Sequence, residues 1–211
     1  MNNRIALAFL LVAAGSTLCL VLWGAPSLRP PAGAEVPSFA LTTAQGRLFQ
    51  SESLQGQVWV ASFIFTRCPS SCPLIMGELK ALQERFADAD GLRLVSFSVD
   101  PEHDTPEVLA RFGTQYGVDP GRWLLLTGPA VDIDRVATGL RLPFERGRPG
   151  PEGLAEVAHS GYLALVGPDG RVRGYFETAP EGLEALQEAM AELALASGVR
   201  PYRVGRAELT P

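Results

Sequence analysis

Histidine, cysteine and lysine are scarce in this chain of 211 residues. There are two histidines (His103 and His159) and three cysteines (Cys19, Cys68 and Cys72), and of 18 basic residues only Lys80 is lysine. The net charge is −5 and no basic run occurs, which excludes a nucleic-acid surface built on clustered positive charge. No serine–histidine–acid constellation can be assembled from two histidines so placed, which excludes a serine-type hydrolase. No internal repeat is found. What remains after the N-terminal segment has the size of one domain.

That segment is apolar. After Met1-Asn2-Asn3-Arg4, the stretch from Ile5 to Ala25 carries no charge and is long enough to cross a hydrocarbon core of about 30 Å as a helix. Pro26, Pro30 and Pro31 end it, and Arg4 favours a cytoplasmic N-terminus. A cleaved signal peptide is the competing reading, but the A-x-A site Ala32-Gly33-Ala34 lies well past the apolar run, beyond two prolines. Cys19 is an apolar filler, because Ser16-Thr17-Leu18 fits a lipoprotein processing site poorly. The expected organisation is an anchor over 1–25, a Pro/Gly/Ala-rich linker over 26–36, a folded domain over 37–198 and a C-terminal tail over 199–211.

The two cysteines outside the anchor are spaced C-x-x-x-C in Phe65-Thr66-Arg67-Cys68-Pro69-Ser70-Ser71-Cys72-Pro73, directly after the apolar run Val58 to Phe65. The pattern places two thiols where a strand ends and a helix begins, an end that favours thiolate over thiol. Arg67 adds a positive charge beside them. Thiolates exchange electrons as a disulfide or bind soft metals, and spacing alone leaves both open. A bridge across so short a loop stabilises a fold little, so a purely structural disulfide explains the pair poorly.

Periodicity predicts the frame. Phe39–Thr42 and Arg47–Phe49 form a hairpin around Gln45-Gly46; Val58–Phe65, Leu92–Val99 and Trp123–Thr127 are strands; Tyr162–Val166 and Val172–Phe176 form a terminal hairpin. Helices follow from Ile75, Leu79, Leu82 and Phe86; from Leu109, Phe112 and Tyr116, capped by Asp104 or Thr105 and stopped by Gly117; from Ile133, Val136 and Leu140; and from Leu183, Leu186, Met190 and Leu193. This order predicts a thioredoxin-like α/β domain, a central mixed sheet flanked by helices, with an added N-terminal hairpin. Sites in such sheets lie at the carboxyl ends of parallel strands, which brings Asp100 near Cys68 and Cys72.

His103 reads as a solvated turn residue. His159 stands directly before a core strand, where thioredoxin-like redox enzymes keep a proline, and follows the Gly/Pro-rich segment Arg141–Glu156, read as a mobile gate. Two thiolates and an imidazole make a soft three-coordinate set suited to Cu(I), and with one more ligand to Cu(II). A closed zinc site would want a fourth protein ligand. Met76 reads as core, Thr66 as packing, and Asp100 either as a turn residue or as a group that orients a ligand. A thiol–disulfide oxidoreductase with no metal of its own is the alternative. A peroxiredoxin-type peroxidase fits poorly, because those proteins place a threonine three residues before the reactive cysteine and Thr66 lies two before Cys68.

The string Phe63 to Pro73 resembles the copper-site motif of the Sco (SenC) family of copper chaperones. Ser98-Val99-Asp100-Pro101-Glu102-His103-Asp104-Thr105-Pro106 resembles that family's second signature. His159-Ser160-Gly161-Tyr162, followed by Gly167-Pro168-Asp169-Gly170-Arg171, resembles the third. The likeness runs from about Pro37 to Leu195; Ala158 departs from it, standing where the family often has Asp. The resemblance implies a membrane-tethered thioredoxin-like domain holding copper through Cys68, Cys72 and His159. It also implies a metallochaperone role more than an enzymatic one. Such a protein would deliver copper to the CuA centre of cytochrome c oxidase subunit II, reduce that subunit's cysteines, or both, with other copper carriers as further partners. The Arg-rich composition without a transit peptide places the expected domain on the periplasmic face of a bacterial inner membrane.

Overall fold

The computed structural model describes residues 33–68, 71–149, 155–158 and 161–198. Their elements are β1 (Ala40–Thr43), β2 (Leu48–Gln50), a 3-10 turn (Ser51–Leu54), β3 (Val58–Ile64), α1 (Ser71–Arg85), β4 (Leu92–Ser98), α2 (Pro106–Gln115), β5 (Trp123–Thr127), α3 (Ala130–Gly139), β6 (Glu145–Pro149), β7 (Ala155–Ala158), β8 (Tyr162–Val166), β9 (Val172–Glu177) and α4 (Pro180–Ala196). A seven-stranded sheet runs β2-β1-β5-β4-β3-β8-β9. Strands β3, β4 and β5 are parallel, and β8 and β9 close the other side antiparallel. The order β4-β3-β8-β9, with α1 crossing between β3 and β4, is the thioredoxin-like arrangement expected. The β1–β2 hairpin turns on Gly46 at φ +72°, a conformation glycine adopts without penalty.

Every residue of β3 is buried, because helices and loops cover both of its faces. Val58, Val60 and Ser62 alternate with Trp59, Ala61 and Phe63. Leu82 of α1 and Phe86 just after it line one hollow with Met190 of α4, Leu92 and Leu94. Across the sheet, Phe97 takes Phe63 in a stack at 5.5 Å and Phe39 edge-on at 5.3 Å. Helix α2 starts on Thr105, whose side chain accepts from the Val108 N–H, and is followed by Gly117 at φ +66°.

One segment differs from the sequence reading. Arg141–Glu156 contains β6 and the start of β7, which pair with each other antiparallel with a register shift between Arg146 and Pro149. The Gly/Pro content that suggests an open loop instead suits a short irregular ladder. Of the two expected helix caps, Thr105 is the one that caps, and Asp104 is buried elsewhere. Residues of the expected linker are also paired: the Gly33 N–H donates to the Val172 carbonyl at 2.7 Å and the Val36 N–H to Gly170 at 3.0 Å. Among the described residues no helix is long and apolar enough to cross a membrane, and the expected anchor and tail lie outside them.

Buried polar groups test the packing. The Trp123 Nε1–H donates to Ser96 Oγ at 2.8 Å, and Ser96 Oγ shares a hydrogen bond with Ser62 Oγ at 2.7 Å. The Tyr175 hydroxyl, by contrast, is buried with no hydrogen-bond partner among the described residues. Ser96→Ala, which strands the Trp123 and Ser62 groups, is expected to cost about 1–3 kcal/mol in denaturant unfolding. Tyr175→Phe removes an unpaired group and is expected to be neutral or stabilising. A destabilisation by Tyr175→Phe as large as that of Ser96→Ala would contradict the packing described.

Candidate metal centre

The cysteine pair sits where β3 leaves the sheet. Phe65 is still buried; the chain turns at Thr66 and Arg67, and the Cys68 N–H donates to the Phe65 carbonyl at 3.3 Å. Helix α1 begins at Ser71, with Pro73 in its first turn, where a missing N–H costs nothing. Ile75, Leu79, Leu82 and Phe86 anchor that helix in the core. This geometry folds Cys72 back on Cys68, so that the Cys72 N–H donates to Cys68 Sγ at 3.4 Å. Both residues are present as thiols, Cys68 9% and Cys72 1% exposed.

Burial dominates the electrostatics. It pushes the Cys72 thiol up to about 12, opposed by a backbone hydrogen bond from Phe65 and reinforced by the neighbouring Cys68 and Asp104. The expectation that the helix end and Arg67 favour thiolate is therefore corrected for Cys72. Desolvation is the largest effect on Cys72, and the Arg67 guanidinium pairs with Asp100. Arg67 Nη2 donates to Asp100 Oδ2 at 2.7 Å and Nε to the same oxygen at 3.1 Å.

Asp100 thus stands beside the cysteine loop and is joined to it through Arg67. The residue that local reading missed is Asp104, fully buried at the end of the same turn. Its carboxylate accepts from the Thr66 N–H at 3.1 Å, from Thr66 Oγ1 at 2.5 Å and from Ser98 Oγ at 2.6 Å. Burial raises its carboxyl above the usual carboxylate range, against the pull of these donors. Thr66 is consequently more than packing. The available signal was redundancy: Asp104 and Thr105 are adjacent, and one helix needs one cap.

His159 lies outside the described residues, as do Pro69 and Ser70. Strand β8 runs antiparallel to β3, pairing Ala164 with Ala61 and Val166 with Trp59, so β8 begins at the end of the sheet where β3 finishes. His103 is exposed, as read, and Met76 is fully buried in the core. Among the described residues no three His, Cys, Asp or Glu side chains converge to hold a metal.

The sequence matches the SCO1/SenC family profile over residues 29–194. It is 36% identical to the SCO1 protein homolog of Bacillus subtilis (strain 168), over 74% of this chain and 80% of that protein. The chain belongs to the SCO1/SenC family. Solved structures of the family agree with the fold. BsSco, described as a member of the Sco family of cytochrome c oxidase assembly proteins with a disulfide switch, superposes at TM-score 0.66 with 32% identity, over 81% of this chain and 97% of its own. Bradyrhizobium japonicum ScoI, solved with copper bound, superposes at TM-score 0.63 with 27% identity, over 75% of this chain and 99% of its own.

The raised thiol gives this Sco-family chain a pH signature. The folded chain keeps the Cys72 proton up to about 12, whereas the unfolded chain releases it near 9.0. Between those values the unfolded state binds fewer protons, so rising pH removes stability that is fully present below 9.0. The reduced, metal-free chain is expected to lose up to a few kcal/mol across this window. Cys72→Ala is expected to lose distinctly less in the same chemical-denaturation series. Equal slopes for the two would contradict burial as the cause.

Proposed function

We propose that this chain is a membrane-anchored copper-binding protein that delivers copper to the CuA site of cytochrome c oxidase subunit II, reduces that site's cysteines, or does both. Cys68, Cys72 and His159 are the copper ligands. The observation that carries the reading is the buried C-x-x-x-C pair at the β3–α1 junction of a chain in this family. Three further facts support it. A related ScoI is solved with copper bound. BsSco is described as a cytochrome c oxidase assembly protein. The β8 register starts that strand at the cysteine end of the sheet. The anchor over residues 1–25 holds the domain on the periplasmic face of a bacterial inner membrane, where other copper carriers supply the metal.

Copper is cargo, and the thiol pair gates it. A disulfide offers no thiolate, so the pair must be reduced to load Cu(I). In a dry site a lone thiolate is costly, and a cation removes that cost, so metal entry and thiol proton loss occur together. An imidazole ligand must be neutral, which makes acid a second route of release. Handover then proceeds by exchange of ligands with the thiolates of the target. The soft donor set fits Cu(I), with a further ligand required for Cu(II).

A competitive Cu(I) titration of the reduced chain tests the reading. The double variant Cys68→Ser, Cys72→Ser is expected to lose tight binding. His159→Ala is expected to weaken it roughly tenfold or more, ~1.4 kcal/mol per decade. Affinity of the parent should climb with pH while thiol protons are being displaced. Unchanged affinity in these variants sinks the ligand set. Full copper-independent reduction of the target's cysteines by His159→Ala would favour the metal-free oxidoreductase instead.

A further inference from the structure

The turn between β4 and α2 does more than connect them. Asp100 and Asp104 both face the cysteine loop, and each holds one of the two residues that precede Cys68: Asp100 holds Arg67, and Asp104 holds Thr66. The two grips are not equal. The Arg67–Asp100 pair is partly open to solvent, with side chains 32% and 14% exposed, and pairs of this kind contribute little. Asp104 is 0% exposed and accepts three hydrogen bonds, two from Thr66 and one from Ser98. Charge-assisted bonds to a buried carboxylate are the stronger class. The turn is itself braced, because the Asp104 N–H donates to the Asp100 carbonyl at 2.8 Å and the Asp100 N–H to Ser98 Oγ at 3.1 Å. A rigid strand end therefore reaches 38 residues back in sequence and fixes the backbone just before Cys68.

We propose that Asp104 is a positioning residue for the Cys68–Cys72 pair, holding the β3–α1 loop in the geometry of the dithiol and so setting how readily the pair closes to a disulfide. This rests on the reading of Cys68 and Cys72 as the working centre. In the dithiol form Cys68 Sγ accepts from the Cys72 N–H at 3.4 Å. Disulfide closure requires an S–S bond of about 2.05 Å, so the two sulfurs must move together. A loop pinned at Thr66 resists the movement, and a released one follows it. The exchange with an added disulfide balances as two steps. A Cys68 thiolate attacks one sulfur of glutathione disulfide and expels one glutathione thiolate. Cys72, losing its proton, then attacks Cys68 Sγ and expels the second, so that the protein dithiol is oxidised and one glutathione disulfide becomes two glutathiones.

The full chain, metal-free, is equilibrated in glutathione buffers of graded ratio, quenched in acid and alkylated. The Cys68–Cys72 disulfide is then quantified by peptide mapping. Asp104→Ala and Thr66→Val are expected to shift the dithiol–disulfide equilibrium toward the disulfide about threefold to tenfold, tenfold being about 30 mV for this two-electron couple. Asp104→Asn should give a smaller shift of the same sign. Thr66→Ser, which keeps the hydroxyl, should restore the parent value. Leu183→Ala on α4, lowering the melting temperature comparably, should leave the equilibrium where it was. Variants at Asp104 and Thr66 that stay within twofold of the parent, or that shift no more than Leu183→Ala, overturn the positioning role and leave the copper ligands untouched. A parent chain that forms no Cys68–Cys72 disulfide at any ratio overturns both this role and the reading beneath it.

Discussion

Desolvation of Cys72 is the constraint around which the rest of the site is arranged. Placing a thiol at 1% exposure in the first turn of α1, just after an entirely buried strand, makes its ionised form expensive. An active dithiol of the thioredoxin kind works by the opposite device, a thiol depressed by a helix end and a nearby cation. Here the cation that could have done this, Arg67, is bound by Asp100, and a buried carboxylate, Asp104, adds negative potential on the same side. A site that penalises bare thiolate while keeping two sulfurs together is poorly suited to attack small disulfides quickly. It is well suited to wait for a soft cation, whose charge removes the penalty at the moment of binding.

The sheet explains how such a site can be rigid without many ligands of its own. Strand β3 is central, paired along all seven of its residues to β4 and along part of its length to β8. The end of β3 supplies the cysteine loop, the end of β4 supplies the Ser98–Asp104 brace, and the start of β8 lies at the same edge. Three strand termini thus share one region because two are parallel and the third is antiparallel to them. The hydrogen bonds of Asp104 turn that topological neighbourhood into a mechanical link. The buried Ser62–Ser96–Trp123 chain holds β3, β4 and β5 in register below it.

Much of this was legible from the sequence where the determinant is local. Trp123–Thr127 and Tyr162–Val166 are strands at the bounds that continuous apolar runs predict, and the stripe Ile75, Leu79, Leu82, Phe86 is the buried face of α1. What escaped was set at long range. Strands β6 and β7 lie in a Pro/Gly-rich stretch without alternation, and their pairing is a property of two segments together. Asp104 looked like a cap because an aspartate before Thr-Pro usually is one, and nothing within ten residues announces Thr66 as its partner. The state of Cys72 escaped for the same reason. Helix dipole and Arg67 are visible in a short window, whereas burial and the diversion of Arg67 to Asp100 depend on the fold.

These errors share a direction. Local reading overestimates how far a thiol is activated by its sequence neighbours, because it counts adjacent charges and omits the solvent that folding removes. The correction also changes what the acidic turn is for. Read locally, Asp100 is a turn residue or a group that orients a ligand, and Asp104 is one of two candidate caps of a connecting segment. In the fold they grip consecutive residues, Arg67 and Thr66, and so decide the approach of the chain to Cys68. A buried carboxylate held by three neutral donors among the described residues is an uncommon way to hold a loop, since burying the charge is itself costly. It is economical only where the same charge serves a second purpose. Beside Cys72 it does: the hydrogen bonds fix the loop, and the charge adds to the burial that holds the Cys72 thiol up.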